Sequence, residues 1–336
     1  MLKILKSKTF IFIVCCLAFA ILIPILMPNQ YMMTVMDTSL VYFIAILGLS
    51  IMLGMGGQVT FSLAGTMGVG AFITAIACVR FGLHPTTAIL AAVVITSLFS
   101  FVLGIALLRL KGSYFAFASI AMVQILYNVM LNWKPVTGGA DGIAGVPPLD
   151  LGFFVCNSKI DYFYVFLGFA IICGLIVNRI RRSSLGRSLA SIRDNEIAAK
   201  CLGVNVYRTK IISFVLAGAF SGLAGSLLAF LNTNITAELF TFEQSSIFLV
   251  MSMLGGIGST MGVFVGTVLL TMLPEWMRFL ASYYKFVYGV GVILLMVFMP
   301  MGLAGLAKDI YKKIKRKKKI NLASEVMGDD SASTDA

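Results

Sequence analysis

RIRRSSLGRSLASIRDNEIAAKCLGVNVYRTK, residues 179–210, is the only long charged segment inside an otherwise apolar chain. Apolar spans flank it on both sides. It carries eight basic residues (Arg179, Arg181, Arg182, Arg187, Arg193, Lys200, Arg208, Lys210) against two acids, Asp194 and Glu196. Loops rich in Lys and Arg stay on the cytoplasmic side of a membrane, so this segment is placed in the cytoplasm, where its role is to meet a partner. Within it, Ser188 to Leu202 is expected to form one short helix that Gly203 stops. Leu189, Ile192, Ala199 and Leu202 give that helix an apolar side; Arg193, Asp194, Glu196 and Lys200 give it a polar one. Such a helix either lies on the lipid surface or serves as a docking knob for a cytoplasmic protein.

The composition around this segment sets the class. The 336 residues are 59% hydrophobic and 12% charged, with a mean hydropathy of +0.97, which no ordinary globular domain shows. The expected fold is an all-α polytopic membrane protein of roughly ten spans at about 20 residues each. The net charge of +12 belongs to membrane topology rather than to nucleic acid, because a nucleic-acid binder needs a soluble basic face. The six cysteines form no CxxC and have no nearby histidine. Cys15, Cys16, Cys78 and Cys173 lie in apolar runs, Cys156 in an outer loop and Cys201 in the basic segment; all read as inert thiols.

Toward the N-terminus, MLKILKSK precedes an apolar run, Thr9 to Met27. It is read as a retained first span, because the run continues past the cleavage-like Ala18-Phe19-Ala20. Residues 28–37 are expected to be an outer loop, followed by a second span from Thr38 to Leu53. The next stretch, residues 54–72 (GMGGQVTFSLAGTMGVGAF), holds six glycines. It supports two compatible readings, close helix packing or a helix broken at the translocation path, where irregular backbone survives beside a wet cavity. Gly54, Gly56, Gly57 and Gln58 are the candidates. The third span ends at Val79; His84, the only histidine, reads as a surface or interface residue at a helix end. A fourth span, Thr86 to Leu108, is closed by Arg109 and Lys111. The fifth, Ser113 to Trp133, carries Gln124, Asn128 and Asn132 on one helix face. That polar stripe either glues helices or lines a pore.

Residues 134–154 are Gly/Pro-rich and too polar to cross a membrane. The sixth span, Tyr162 to Asn178, leads into the basic segment. Beyond it, the seventh span, Ile211 to Leu231, offers Gly218 and Gly222 with Ala217, Ser221 and Gly225 as a close-packing face. After an outer turn with Glu238 and Glu243, the run from Ser246 to Leu273 is too long for one span. Residues 255–262 (GGIGSTMG) break it into two short helices with a cytoplasmic-side turn, so Gly255, Gly256 and Gly258 join the path or packing candidates. TMGV occurs at 66–69 and again at 260–263, a faint sign of duplication, although both glycine clusters follow outward-to-inward helices and so give no support to an inverted repeat. An outer connection, residues 274–285, precedes a tenth span, Phe286 to Leu306. Residues 308–319 hold eight basic residues suited to an anionic inner leaflet, and the small, polar, acidic end is expected to be disordered. Residues 1–307 thus form the membrane domain and 308–336 the tail. With ten spans both termini are cytoplasmic, and 21 of the 26 basic residues fall on that side, as the positive-inside tendency requires.

No acidic residue is read in the middle of a span, so proton coupling, which relies on intramembrane ionisable groups, is not expected. Sodium coupling through broken helices stays open. There is no HExxH, no GxSxG with partner residues and no Gly-Lys of a Walker A loop. No catalytic, cofactor or metal site is expected, and any ATP must be hydrolysed by another polypeptide.

Five blocks in order carry a family resemblance: residues 53–65 (LGMGGQVTFSLAG), 111–133 (KGSYFAFASIAMVQILYNVMLNW), 137–147 (TGGADGIAGVP), 186–229 (GRSLASIRDNEIAAKCLGVNVYRTKIISFVLAGAFSGLAGSLLA) and 253–266 (MLGGIGSTMGVFVG). With these the chain resembles the permease subunits of branched-chain amino acid ABC importers, the LivM type. The resemblance implies a channel paired with a second homologous permease, two cytoplasmic ATPase subunits and an extracytoplasmic binding protein, in a bacterial inner (plasma) membrane. Glu196, Ala198, Ala199 and Gly203 resemble the Glu-Ala-Ala-Gly core of the importers' ATPase-docking loop, with the spacing one residue longer; Arg193 and Asp194 belong to the same loop. Thr137, Gly138, Gly139 and Asp141, with Glu238, Glu243 and Glu275, are implied contacts of the binding protein. Relatives of this family move urea, other amino acids, sugars or nucleosides, so the substrate stays open among these. A self-sufficient channel or sodium-coupled carrier is the alternative from another class.

Overall fold

The computed structural model describes residues 30–276, apart from 111, 153, 154, 157 and 257, together with residue 289. The expected first and tenth spans and the tail lie outside the described residues. Within them the chain is a helical bundle in which five helices are long and apolar enough to cross a membrane.

Helix α1, Gln30–Leu49, runs on into a π-helical turn, Ser50–Met55. The expected outer loop at 28–37 is therefore helical from Gln30 onward. No proline or glycine interrupts 30–47, and apolar Met33 and Met36 already face the core. Asp37 is consequently no loop residue: it is fully buried about 10 Å along the 26-residue span. A carboxylate therefore stands inside a span where the sequence pattern predicts none. Helices α2 (Leu63–Val79), α3 (Pro85–Leu107), α4 (Ser113–Asn132) and α5 (Lys159–Arg182) come next. His84 caps α3, its ring accepting from Thr86 N, and its Nε2 lies 3.3 Å from Asp150 Oδ2. A capping box of Ser158 and Asp161 starts α5.

The basic segment holds α6 (Ser184–Asp194) and α7 (Glu196–Cys201), then α8 (Val206–Asn232); α9 (Phe242–Gly255) and α10 (Thr260–Trp276) complete the described bundle. Helix α8 is the axis, packed most extensively on α3, α2 and α1. Its small-residue face makes that possible. A Cβ added at Gly70 of α2 would lie 2.6 Å from the Gly222 carbonyl oxygen, and one at Gly222 would lie 2.8 Å from Thr96 Cβ of α3. Backbones meet at these points because there is no side chain to hold them apart. At the end opposite α6 and α7, a two-residue antiparallel pair, β1 (Ile143–Ala144) with β2 (Asn234–Ile235), ties the loop after α4 to the loop after α8.

Candidate functional site

The basic segment does not form the single helix expected for Ser188 to Leu202. It breaks at Asn195, which adopts an extended backbone (φ −160°) and caps α7. Its Oδ1 accepts from the amides of Ile197 (2.9 Å) and Ala198 (3.0 Å), as an N-cap side chain does. The break shifts the helical phase of α7 relative to α6. Leu189, Ile192 and Ala199 turn inward and are buried. Leu202, expected on that same apolar side, is instead 81% exposed, together with Ile197 at 76%. Ala198 is exposed as well, and Gly203 ends α7 at φ +81°. Glu196 holds the unit to the bundle, accepting from Lys210 Nζ at 2.8 Å at the foot of α8, with Lys200 Nζ 3.7 Å away. The inner face of α6–α7 is thus anchored, while its outer face presents two large apolar side chains among charges.

Arg193 joins this unit to the glycine-rich stretch. Its Nη1 donates to the Gly54 carbonyl oxygen at 2.8 Å, inside the π-helical turn that ends α1. Its Nη2 is 3.5 Å from Asp194 Oδ1. Gly56 packs on Leu189, where an added Cβ would lie 3.3 Å from Cδ2. Gly57 turns the chain at φ +66°, and a Cβ there would lie 2.7 Å from Arg193 Cγ. Two candidate regions that lie 139 residues apart in sequence are one site.

Past Gly57 the chain is not helical until Leu63. Side chains of other helices complete its backbone hydrogen bonds: Ser119 Oγ of α4 accepts from Phe61 N at 2.9 Å, and Ser245 Oγ of α9 from Ala64 N at 3.1 Å. That is how irregular backbone persists between spans. Gln58 is buried; its Nε2 reaches Ser213 Oγ at 3.4 Å, and its Oε1 has no hydrogen-bond partner. A cleft of about 590 Å³ opens here. Gly56 to Val59 form one wall, the α3–α4 connection and the first turns of α4 another, and Ile192, Arg193, Glu196 and Lys210 the third.

Helix α4 leads away from this cleft. Phe117, Ala121, Gln124, Asn128 and Asn132 are all exposed on one face, with Asn132 Nδ2 donating to the Asn128 carbonyl at 2.9 Å. Exposed residues on the middle of α3, by contrast, are apolar: Leu90, Val94, Leu98 and Phe101. Amides left bare in hydrocarbon are costly, so the α4 face meets protein or water.

At the far end of α4 the loop candidates divide. Thr137 is buried, its hydroxyl donating to the Met130 and Trp133 carbonyls, and Gly139 is buried at φ +69°. Together with Gly138, at φ +79°, they shape the turn. Asp141 and Glu238 are exposed, and Glu275 accepts from Tyr31 Oη at 2.7 Å. Gly255 is a packing residue, since an added Cβ would lie 2.7 Å from Val263 Cα. Gly256 and Gly258 take positive φ in the turn before α10, and Thr260 Oγ1 fixes that turn to Asn178 Oδ1 at 2.9 Å, beside the start of the basic segment. Among the described residues, no three His, Cys, Asp or Glu side chains gather as a metal ion would need.

The sequence profile described as branched-chain amino acid transport system / permease component matches residues 31–299. The high-affinity branched-chain amino acid transport system permease protein LivM of Salmonella typhimurium is 28% identical over 328 residues, covering 91% of this chain and 77% of that protein. The tyrosine transport system permease protein of Clostridioides difficile is 27% identical over 198 residues, 58% of this chain and 63% of its own. The L-arabinose transport system permease protein AraH of Escherichia coli is 37% identical over 116 residues, 33% and 34% of the two chains. No solved structure matches the chain.

Proposed function

The chain belongs to the family of branched-chain amino acid transport permease components, and from that premise we propose that it forms half of the membrane channel of an ABC importer. In this reading a second, homologous permease completes the channel, an extracytoplasmic binding protein delivers a branched-chain or related neutral amino acid, and two ATPase subunits drive the cycle from the cytoplasm. The chain itself carries out no chemistry. It sits in the plasma membrane with ten spans and both termini inside. The observation that carries the reading is the α6–α7 unit, anchored inward by Glu196, Arg193 and Leu189 and presenting Ile197 and Leu202 outward. Two large apolar side chains ringed by charges fit the apolar core and polar rim of a protein interface, which supports this face as the ATPase dock. The exposed polar face of α4 is the wall that the second permease closes into a path. Its amides then meet water and the solute's polar groups rather than lipid. Asp141 and Glu238, exposed at the opposite end, offer charge to the binding protein.

The test pairs assembly with transport. Ile197→Asp with Leu202→Asp changes two exposed positions and leaves the bundle's core untouched. Tagged wild type should bring down the ATPase subunits and, with the binding protein, import L-leucine into proteoliposomes; the double variant should lose both. Equal recovery of ATPase by the variant removes α6–α7 as the dock. Import of L-arabinose in place of L-leucine moves the substrate to the sugar class of the AraH relative.

A further inference from the structure

The cleft beside Gln58 is not needed for docking, yet its lining is chemically specific. We propose that it is a binding site for the transported amino acid on the cytoplasmic side, holding the zwitterion by both ends before release; this rests on the amino acid importer reading of the chain. Three features of the lining point to that ligand. Gln58 is 93% buried and its Oε1 has no hydrogen-bond partner, a standing demand for a donor that an α-ammonium meets. Among the described residues, the charged ones in the lining are Arg193, Lys210 and Glu196. Lys210 and Glu196 pair with each other at 2.8 Å, whereas the Arg193 guanidinium, held by the Gly54 carbonyl and 3.5 Å from Asp194, has five N–H donors and keeps some of them for a carboxylate, the group its shape matches. Leu108, Leu110, Phe115 and Phe117 supply an apolar wall between these ends, as a branched aliphatic side chain requires. The volume, about 590 Å³, lies in the range of small-molecule sites and leaves space for water around a leucine.

The site's place in the fold gives its role. Phe117 is shared between the cleft and the exposed α4 face, so a solute that has travelled along α4 arrives here last. The cleft's walls are the broken end of α1, the foot of α4 and the docking unit. A bound amino acid bridges all three and resists their relative movement, so product accumulating in the cytoplasm slows further import. A sugar has neither charged end, so its hydroxyls forgo the charge-to-charge pairing with Arg193 that a carboxylate makes and bond more weakly there.

The experiment uses the full importer complex in nanodiscs without binding protein. Tritiated L-leucine is the probe, with 4-methylpentanoate (no ammonium) and isoamylamine (no carboxylate) as competitors. Saturable L-leucine binding is expected, with each one-ended analogue at least about tenfold weaker. Gln58→Leu should weaken L-leucine about tenfold and leave competition by 4-methylpentanoate unchanged. In proteoliposomes, L-leucine preloaded inside should slow import by the wild type and not by Gln58→Leu. Equal affinity for isoamylamine and L-leucine, or full L-leucine binding by Gln58→Leu, overturns the site. So does absence of binding by a complex that still imports L-leucine. A complex that imports no L-leucine at all overturns the importer reading beneath it.

Discussion

Replacing Arg193 by Ala removes the bond that ties the α6–α7 unit to the end of α1. The donor is charged, the acceptor is the Gly54 carbonyl, and the separation is 2.8 Å. Hydrogen bonds of this type contribute about 1.5–3 kcal/mol. The Arg193 side chain is 44% exposed, so water competes and the lower figure, about 1.5 kcal/mol, applies. At about 1.4 kcal/mol per factor of ten, local opening of the π-helical turn should become roughly tenfold more frequent. Amide hydrogen exchange of a peptide covering residues 50–59, measured on the assembled complex, reads this directly, because exchange there tracks local opening. Exchange in 50–59 should accelerate about tenfold, while a peptide from the centre of α8, residues 214–225, stays as it was. Arg193→Lys, which keeps the charge and one donor, should fall between. The reasoning fails if 50–59 exchanges at the wild-type rate, or if both peptides accelerate together, since the second result means general loosening rather than a lost tether. In the proposed importer this tether would be the direct link from movement of α6–α7 to the helix break, a rigid-body coupling of packed elements.

The close packing and the buried thiol each carry a further expected outcome. Gly70→Ala should lower the melting temperature of the detergent-solubilised protein: its Cβ would press within 2.6 Å of the Gly222 carbonyl oxygen, an overpacking cost of about 1–3 kcal/mol that exceeds the roughly 1 kcal/mol gained in helix propensity. Gly168→Ala, with nothing within 4 Å of the added carbon, should leave the melting temperature unchanged or raise it, and a matching loss at both positions would contradict the close-packing account. Burial pushes the Cys156 thiol up to about 11, with Asp161 and Asp150 adding to the effect; at pH 8 only about one such thiol in a thousand is ionised. In native protein a charged maleimide should therefore modify exposed Cys201 and spare Cys156 until denaturant is added, and mass-spectrometric mapping of rapid native labelling at Cys156 would contradict this.

Hydropathy and charge are local properties, so residue order alone is enough for the helical membrane class, most of the described span positions and the family. The break between α9 and α10 is legible from its glycines, and the small-residue face of α8 from its spacing. Asn195 is legible in principle, being a strong N-cap residue just ahead of Glu196, but a continuous helix satisfies the same pattern. Choosing one helix over two puts Leu202 on the wrong side and leaves Ile197 unnoticed. An acid next to a span usually marks its end, which places Asp37 in a loop; only the helix that starts at Gln30 and the packing of other helices around it draw it inside. The candidate site itself belongs to the tertiary structure. Arg193 touches Gly54 across 139 residues of sequence, and Gln58 faces Phe115, Phe117 and Lys210 in one cleft. No periodicity encodes such contacts, because they depend on how helices from distant parts of the chain close around α8, and that closure is set by which backbones can approach where side chains are absent.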